Sequence, residues 1–449
     1  MRADELTRGC QCRSGISAFE AEAIIERLER FQVRDVGSRR WMAQHEMTER
    51  LNIQAHMNVH HQNEEFVTEA LTTFEKLPLL IRDLLVIETW KGKVYPLVLR
   101  ELATDSVTLY FTLYHEATIV NLLEIVLFSR SACLSAGDAL LDLVDYCARK
   151  VAKVTAWEAP SDPQALSGKR ILEMSDEELM RDKFDEMEFA ICIGAIGIMR
   201  YLSEHAAELD LSVVTRMLNT HDMISASVYL IERAPWFERT DKNKFRRYED
   251  GAWRDIPRDE LPRLGKVEAQ AWLTVYNLCL EPKCRESYEY TTQNQDIILR
   301  LKSFITEIMV DQLPVLVHLQ RYLEELTILQ PPEPKHRPNR SILVELVPEI
   351  LDEITKDIDW DEVAEYQKTT VFRQTEEDKR EMARRLAATY DLSEYSELLD
   401  PPKCGKCGKD ASQRCSRCKT EWYCSRACQV KAWKTHKGAC DMVVGYTAL

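Results

Sequence analysis

The sequence predicts an all-α fold: an armadillo- or HEAT-like helical body with a small double-zinc module towards the C-terminal end. Two observations support this prediction. Apolar residues recur at helical spacing from residue 17 to residue 330, and eight cysteine and histidine residues are concentrated within residues 404–440. Many consecutive amphipathic helices are most simply accommodated as the stacked pairs of a solenoid, although the sequence shows no fixed-period repeat.

The individual helices are predicted from apolar stripes and from end signals. The first stripe contains Ile24, Leu28 and Phe31, at positions i, i+4 and i+7. A proline before it and a glycine after it delimit the helix Leu79–Trp90 most clearly. The other predicted helices are Glu116–Phe128, Ser135–Lys153, Phe184–Ser203, Leu211–Leu218, Met223–Ala234, Val267–Leu280, Ile297–Met309 and Leu313–Leu329.

Local composition divides the chain into segments. Phe245–Ile256 alternates aromatic and charged residues around an Asp-Gly pair, which predicts a small hairpin inserted between helices. The proline-rich stretch Gln330–Asn339 is typical of an exposed linker. The predicted organisation is a disordered tail (1–16), the helical body (17–330), a linker (331–340), a charged helical segment (341–400), the zinc module (404–440) and a tail (441–449).

The composition favours a globular protein of a reducing compartment. The chain has 449 residues, of which 45% are apolar and 30% are charged, and its longest apolar run has eleven residues, Phe189–Met199. This run is too short for a membrane span, and the N-terminal residues lack the apolar core of a signal peptide. Without such a signal, the 14 cysteines are expected to be metal ligands or core residues in the cytosol or the nucleus.

Charge is unevenly distributed along the chain. Residues 401–449 contain ten Lys or Arg and three Asp or Glu, a formal +7, so that the remainder carries −15 − 7 = −22. A strongly acidic body repels the phosphates of nucleic acid. We therefore expect no nucleic-acid partner.

The eight clustered residues have the spacing of two tetrahedral zinc sites. Gaps of two residues let both sulfurs of a tight turn reach one ion, and Gly408 can adopt the positive φ that such a turn needs. Eight protein ligands for two ions leave no position for a reactive water, so both ions are predicted to be structural. The predicted ligands are Cys404, Cys407, Cys415, Cys418, Cys424, Cys428, His436 and Cys440.

This spacing, with the steps Trp422-Tyr423-Cys424 and Cys428-Gln429-x3-Trp433, resembles the MYND zinc-finger family. The resemblance implies cross-braced sites, in which the first and third ligand pairs share one ion; the spacing alone equally allows sequential pairing. It also implies that a proline-containing partner peptide docks at Ser416, Gln429 and Trp433. For Trp433 the alternative is a packing role between the two zinc sites.

The rest of the chain is similar to a family of MYND-containing cytoplasmic assembly factors for axonemal dynein arms. The segments that carry this resemblance are Phe74–Pro96, Leu113–Phe128, Arg216–Trp236 and Asp311–Leu326. It implies a non-enzymatic cytoplasmic adaptor. The implied partners are a proline-containing peptide of another dynein assembly factor, chaperone machinery and dynein chains.

Two other classes of protein contain MYND fingers. A nuclear transcriptional corepressor adaptor is the alternative function, but the sequence has neither a Lys/Arg-rich import run nor a DNA-reading module. A lysine methyltransferase of the SET type is less favoured, because such enzymes carry the finger within a catalytic domain and this sequence shows no corresponding cofactor motif. The sequence therefore favours an adaptor over an enzyme.

Overall fold

Contacts in the computed structural model divide the chain into two units. The larger unit, called the body below, comprises Ile16–Val59 and Asn63–Gln374, and the smaller contains Thr375–Leu449. The structure describes residues 15–102, 106–158, 176–241, 244–329, 347–373, 404–409, 411, 413–418 and 421–447. Nearly all of the predicted N-terminal tail, the linker 331–340 and residues 374–400 of the charged segment lie outside the described residues.

The body is built from helices that pack mainly on others close to them in sequence. Its first part contains α1 (Ala18–Glu26), α2 (Arg39–His60), α3 (Phe66–Thr73), α4 (Leu77–Lys93), α5 (Tyr95–Leu102), α6 (Ser106–Val126), α7 (Arg130–Ser135) and α8 (Ala139–Thr155). Its second part contains α9 (Asp176–Glu204), α10 (Leu211–Thr215), α11 (Met223–Arg233), α12 (Lys266–Leu280), α13 (Pro282–Ser287), α14 (Thr292–Leu299), α15 (Glu307–Gln312), α16 (Leu316–Ile328), α17 (Ile350–Thr355) and α18 (Trp360–Tyr366).

The predicted all-α class with a small C-terminal zinc module is confirmed, whereas the armadillo- or HEAT-like arrangement of the body stays a prediction. End signals explain several boundaries. Helix α1 begins with a reciprocal capping box between Ser17 and Glu20, and α4 has Pro78 in its first turn. None of the described helices combines the length and the apolar composition that a membrane crossing requires.

Several predicted helices differ from the observed ones in their bounds, and two predicted helical stretches contain a break within them. Helix α1 ends at Glu26, because the Lys76 ammonium bonds the carbonyls of Glu26 and Leu28 and holds the chain in a turn. Leu28 and Phe31 are buried as predicted, but they lie outside the helix. The predicted helix 297–309 is broken, because the extended Thr306 accepts a bond from the amide of Met309 and starts a new helix.

A three-stranded antiparallel sheet interrupts the helices. Strands β2 (Lys244–Glu249) and β3 (Ala252–Ile256) form the hairpin, with Gly251 at a φ of +78° in its turn. Strand β1 (Phe237–Asp241), which the sequence pattern did not indicate, pairs with β2 and contains an irregularity between Arg239 and Asp241.

The long helix α9 lies at the centre of the body and packs on α6, α8 and α12. Two glycines allow a close approach to α6. A Cβ atom at Gly194 would lie 2.5 Å from a methyl carbon of Val120, and one at Gly197 would lie 2.1 Å from a carboxylate oxygen of Glu124. A larger residue at Gly194 would therefore force the helices apart, whereas one at Gly197 would displace the Glu124 side chain.

A buried charge network connects α4, α6, α8 and α9. The carboxylate of Glu116, which is fully buried, accepts bonds from Lys91 at 2.6 Å, Lys150 at 2.7 Å and the Tyr146 hydroxyl at 2.7 Å. Glu188 bonds the same Lys91 ammonium. The two buried carboxylates and the two buried ammonium groups balance in charge.

Residues 347–373 pack on the body through polar groups. The Asp142 carboxylate on α8 accepts bonds from the backbone amides of residues 349–351, at the start of α17. The fully buried Gln367 accepts a bond from the Trp90 indole at 2.7 Å and donates to the carbonyl of Val36 at 3.0 Å. These bonds explain why this segment belongs to the same unit as the helices before it.

Candidate functional site

The C-terminal module consists of two turns, two short strands and one helix. The first turn contains Cys404–Gly408, and the second follows β4 (Gln413–Arg414). Strand β4 pairs antiparallel with β5 (Trp422–Tyr423). Helix α19 (Arg426–Thr447) then supplies the last ligands.

The eight predicted ligands gather into two groups. In each group the ligand atoms lie within 4.8 Å of one another, and the described residues contain no other group of this kind. The first group is Cys404, Cys407, Cys424 and Cys428, and the second is Cys415, Cys418, His436 and Cys440. This is the cross-braced arrangement that the MYND resemblance implies, and sequential pairing is wrong.

The separations fit zinc. Tetrahedral zinc with bonds of about 2.3 Å to sulfur places neighbouring sulfurs about 3.8 Å apart. In the first group the Cys407 sulfur lies 3.5 Å from that of Cys424 and 3.9 Å from that of Cys428. In the second, the Cys415 and Cys440 sulfurs are 4.0 Å apart. A disulfide needs about 2.0 Å, so these thiols are arranged around an ion rather than paired.

Backbone geometry explains how the first turn holds its sulfurs. Gly408 has a φ of +69°, as predicted, and its amide bonds the Cys404 carbonyl at 2.9 Å. Hydrogen bonds from backbone amides, foremost that of Cys424, lower the pKa of the Cys404 thiol to about 6. A lowered pKa favours the thiolate, which is the form that binds zinc.

The sulfurs of the second group favour the protonated form of His436, so the binding of zinc, which requires the neutral imidazole, releases that proton. Burial alone lowers the pKa of His436, but hydrogen bonds with the Cys415 and Cys418 sulfurs outweigh it and raise that pKa overall. Its Nε2 lies 3.4 Å from the Cys418 sulfur, close to the separation of about 3.6 Å that a tetrahedral zinc site requires. The module binds two structural zinc ions, and each has four protein ligands.

The three predicted partner-binding residues lie on two elements. Ser416 is exposed in the second turn, directly after β4. Gln429 and Trp433 are half-buried on α19, one helical turn apart. The Trp433 ring lies 6.0 Å from that of His436, so part of it packs on the second zinc group, as in the alternative role, while part stays accessible.

Sequence reasoning missed several residues that shape this surface. Val430 is 66% exposed and lies on α19 beside Trp433. Tyr423 is fully buried at the centre of the module, and the Arg414 guanidinium stacks on the Trp422 ring at 4.2 Å. Helical spacing from Trp433 could have indicated Val430, whereas the stacking of Arg414 depends on the pairing of two strands that are too short to predict.

The two edges of the small sheet differ. On β5 the outward-facing carbonyl of Trp422 accepts a bond from the amide of Gly405. The outer edge of β4 has no strand beside it among the described residues. Within the described part of the module, the outer edge of β4 is thus the unpaired one, and Ser416 lies two residues beyond the end of this strand.

Comparison with known proteins agrees with the geometry. The model of the MYND finger family matches residues 404–440. A Drosophila melanogaster protein described as "Zinc finger MYND domain-containing protein 10 homolog" is 30% identical over an alignment of 448 residues. The alignment covers 94% of this chain and 98% of that protein. No solved structure matches.

Two further relatives match over a short segment. They are "Ubiquitin carboxyl-terminal hydrolase 19" of Arabidopsis thaliana, 50% identical over 44 residues, and "Tudor domain-containing protein 1" of Mus musculus, 46% identical over 49 residues. Each match covers 10% of this chain and 6% or less of the relative. The segment thus recurs in proteins of different kinds.

The cross-braced ligands and the family match define a MYND zinc-finger protein, of an adaptor type that binds other proteins. The similarity to the Drosophila protein covers the helical body as well as the finger. The chain belongs to the family of zinc finger MYND domain-containing protein 10.

Proposed function

We propose that this protein is a non-enzymatic adaptor whose finger binds a proline-containing peptide of a partner. Two observations carry this proposal: β4 has no second strand beside it among the described residues, and α19 of the same module has an exposed, partly apolar face. An extended peptide adds to a free strand edge through backbone hydrogen bonds, and side-chain pockets supply the specificity. The finger offers both features.

Ser416, Gln429 and Trp433 have distinct proposed roles. Trp433 provides an aromatic surface on which a proline ring packs, and truncation of such a tryptophan commonly costs about 2 kcal/mol or more. The Gln429 amide donates to and accepts from the peptide backbone. Ser416 follows the free edge and contacts the peptide where it leaves β4.

A binding role rather than catalysis is supported by the ligand count. Four protein ligands at each zinc group leave no open position at which an ion activates a water molecule. The ions hold the shape of the module, and the helical body offers a large surface to further proteins.

We extend the proposal to the cytoplasmic pre-assembly of axonemal dynein arms. Membership of the family over 94% of the chain supports it, together with the resemblance of the body segments to dynein arm assembly factors. In this proposal the peptide belongs to another dynein assembly factor, and the body binds chaperone machinery or dynein chains. Joining two binding surfaces in one chain raises the local concentration of one partner near the other.

The test is a rescue experiment in ciliated cells that lack the protein. We expect cilia without dynein arms in electron micrographs, rescue by the unaltered chain, and poor rescue by Trp433→Ala at equal protein level. Lys406→Ala, a change at an exposed residue of the first turn that has no part in the proposed site, is the matched control. Normal arms in the null cells would exclude the assembly role, and nuclear enrichment of the protein on fractionation would favour the corepressor alternative.

A further inference from the structure

One stripe of α19 combines apolar and positively charged residues. Arg426, Val430, Trp433 and Lys437 lie at positions i, i+4, i+7 and i+11, which share one face of a helix. Arg426, Val430 and Lys437 are exposed, and Trp433 is half-buried. The stripe therefore has an apolar centre with a cation at each end.

Among the residues of the module that the structure describes, Arg426 and Lys437 lack the side-chain partners that the other two arginines have. Arg417 forms an ion pair with Asp441 at 2.5 Å, and Arg414 stacks on Trp422. For Arg426 and Lys437 the described residues provide no acidic partner. Both side chains extend into solvent next to the apolar centre.

Arg426 does not stabilise α19 at its position in the helix. It is the first residue of α19, where the helix dipole is positive and a cation is unfavourable. The first turn of α19 contains no acidic residue that would offset this effect. An anion bound at this end would interact favourably both with the Arg426 guanidinium and with the helix dipole.

We propose that the peptide bound by this finger is acidic as well as proline-containing, with Asp or Glu side chains that contact Arg426 and Lys437. This inference rests on the proposed peptide site at Trp433 and specifies the chemistry of its ligand. Residues one helical turn apart are about 6 Å apart along the axis, and an extended peptide advances about 3.3 Å per residue. A proline on the Val430–Trp433 pair thus places carboxylates two or three residues away within reach of the cations.

The difference in charge between the finger and the rest of the chain also favours an acidic ligand. With seven ligand thiols ionised and two zinc ions bound, the formal +7 on residues 401–449 becomes 7 − 7 + 4 = +4, which still contrasts with −22 on the remainder, so the finger attracts acidic segments that the body repels. Charged flanks increase the association rate and exclude basic or neutral proline-rich sequences. The proline provides the apolar contact, and the carboxylates select among proline-containing partners.

The experiment uses the full-length, zinc-loaded chain and an array of eleven-residue peptides with a fixed central proline. We expect Asp and Glu to be enriched two or three residues from the proline. The best peptide and its Asn/Gln analogue are then compared by fluorescence anisotropy in about 0.15 M salt. The analogue is expected to bind about tenfold more weakly, as two exposed ion contacts allow.

Matched variants separate local contacts from overall charge. The double change Arg426→Gln and Lys437→Gln is expected to weaken the acidic peptide about tenfold and to leave its analogue unchanged. The control changes Lys406→Gln and Lys409→Gln remove the same charge from exposed positions in the first turn and directly after it, and they are expected to have little effect. An equal loss in both double variants would overturn the specific contacts.

Two other results distinguish a failure of the acidic-ligand inference from a failure of the proposed peptide site. If proline peptides bind and require Trp433, but acidic flanks give no advantage, the inference of an acidic ligand is wrong and the proposed peptide site stands. If no proline peptide binds, or if Trp433→Ala binds as well as the unaltered chain, the proposed peptide site is wrong and the inference falls with it.

Discussion

Replacing Glu116 by glutamine is expected to destabilise the body more than any single surface change. The Glu116 side chain is fully buried, forms ion pairs with the ammonium groups of Lys91 and Lys150, and supplies one of the two buried negative charges that balance them. Burial alone would raise the pKa of Glu116, but Lys150 and Lys91 outweigh it and hold that pKa below its usual range. Glu116 is therefore ionised at neutral pH, and its replacement leaves one buried carboxylate, Glu188, for two buried ammonium groups.

The expected size of the effect follows from this imbalance. Removing one partner of a buried ion pair costs about 3 to 5 kcal/mol, because the remaining charge stays buried without compensation. The glutamine amide keeps one acceptor oxygen for the Tyr146 hydroxyl but places an NH2 group against an ammonium. We therefore expect the upper part of this range, a large fraction of the stability of a typical domain.

Urea unfolding of the body, followed by far-UV circular dichroism, measures the change. Glu353→Gln is the control, because its partner Arg82 is 3.4 Å away and the Glu353 side chain is 56% exposed; a loss below about 1 kcal/mol is expected. Adding Lys150→Gln to Glu116→Gln restores the charge balance, so the double variant should lose less than the sum of the two single losses. A loss below about 1 kcal/mol for Glu116→Gln alone would refute this account.

Three further outcomes are expected. Metal analysis should find two zinc ions per chain. A strong chelator should unfold residues 404–440 while the circular dichroism of the body persists, since zinc supplies most of the folding free energy of such modules. Finding one ion or none in undenatured protein would contradict the two-site arrangement. Trp433→Ala should weaken partner-peptide binding about thirtyfold, and Gln429→Ala less, with zinc content unchanged in both; normal binding would place the peptide elsewhere. Burial raises the pKa of Glu124 to about 7, so the stability that this carboxyl contributes is present in acid and is lost as pH rises through 7. Glu124→Gln should therefore remove about 2 kcal/mol from the pH dependence of the free energy of unfolding between pH 5 and pH 8. An unchanged pH profile would show that Glu124 is solvated.

The zinc centres were predictable because their chemistry is local. Paired spacing identifies all eight ligands, and Gly408 stands where a tight turn needs a positive φ. The assignment of pairs to ions came from resemblance, since spacing allows two pairings. The surface of the finger was less predictable, because the exposure of Val430 and the pairing of β4 with β5 depend on how the module folds.

In the body, apolar periodicity found the helices but not their breaks. The stripe Ile24, Leu28 and Phe31 is buried throughout, yet the helix stops before Leu28 because Lys76, nearly fifty residues away, binds the carbonyls there. Likewise, nothing near Gln367 in the sequence reveals that its amide is buried against Trp90. Such long-range polar contacts leave no periodic signal.

The interleaved order of the zinc ligands has a consequence for biosynthesis. A nascent chain made as far as Cys424 already carries five of the eight ligands but neither complete group, because the first group ends at Cys428 and the second at Cys440. Four of those five thiols, Cys404 to Cys418, suffice to trap a zinc ion in the wrong combination. We expect the emerging finger to pass through such a misligated state and to exchange ligands only when α19 is complete, so that correct maturation depends on zinc remaining exchangeable until then.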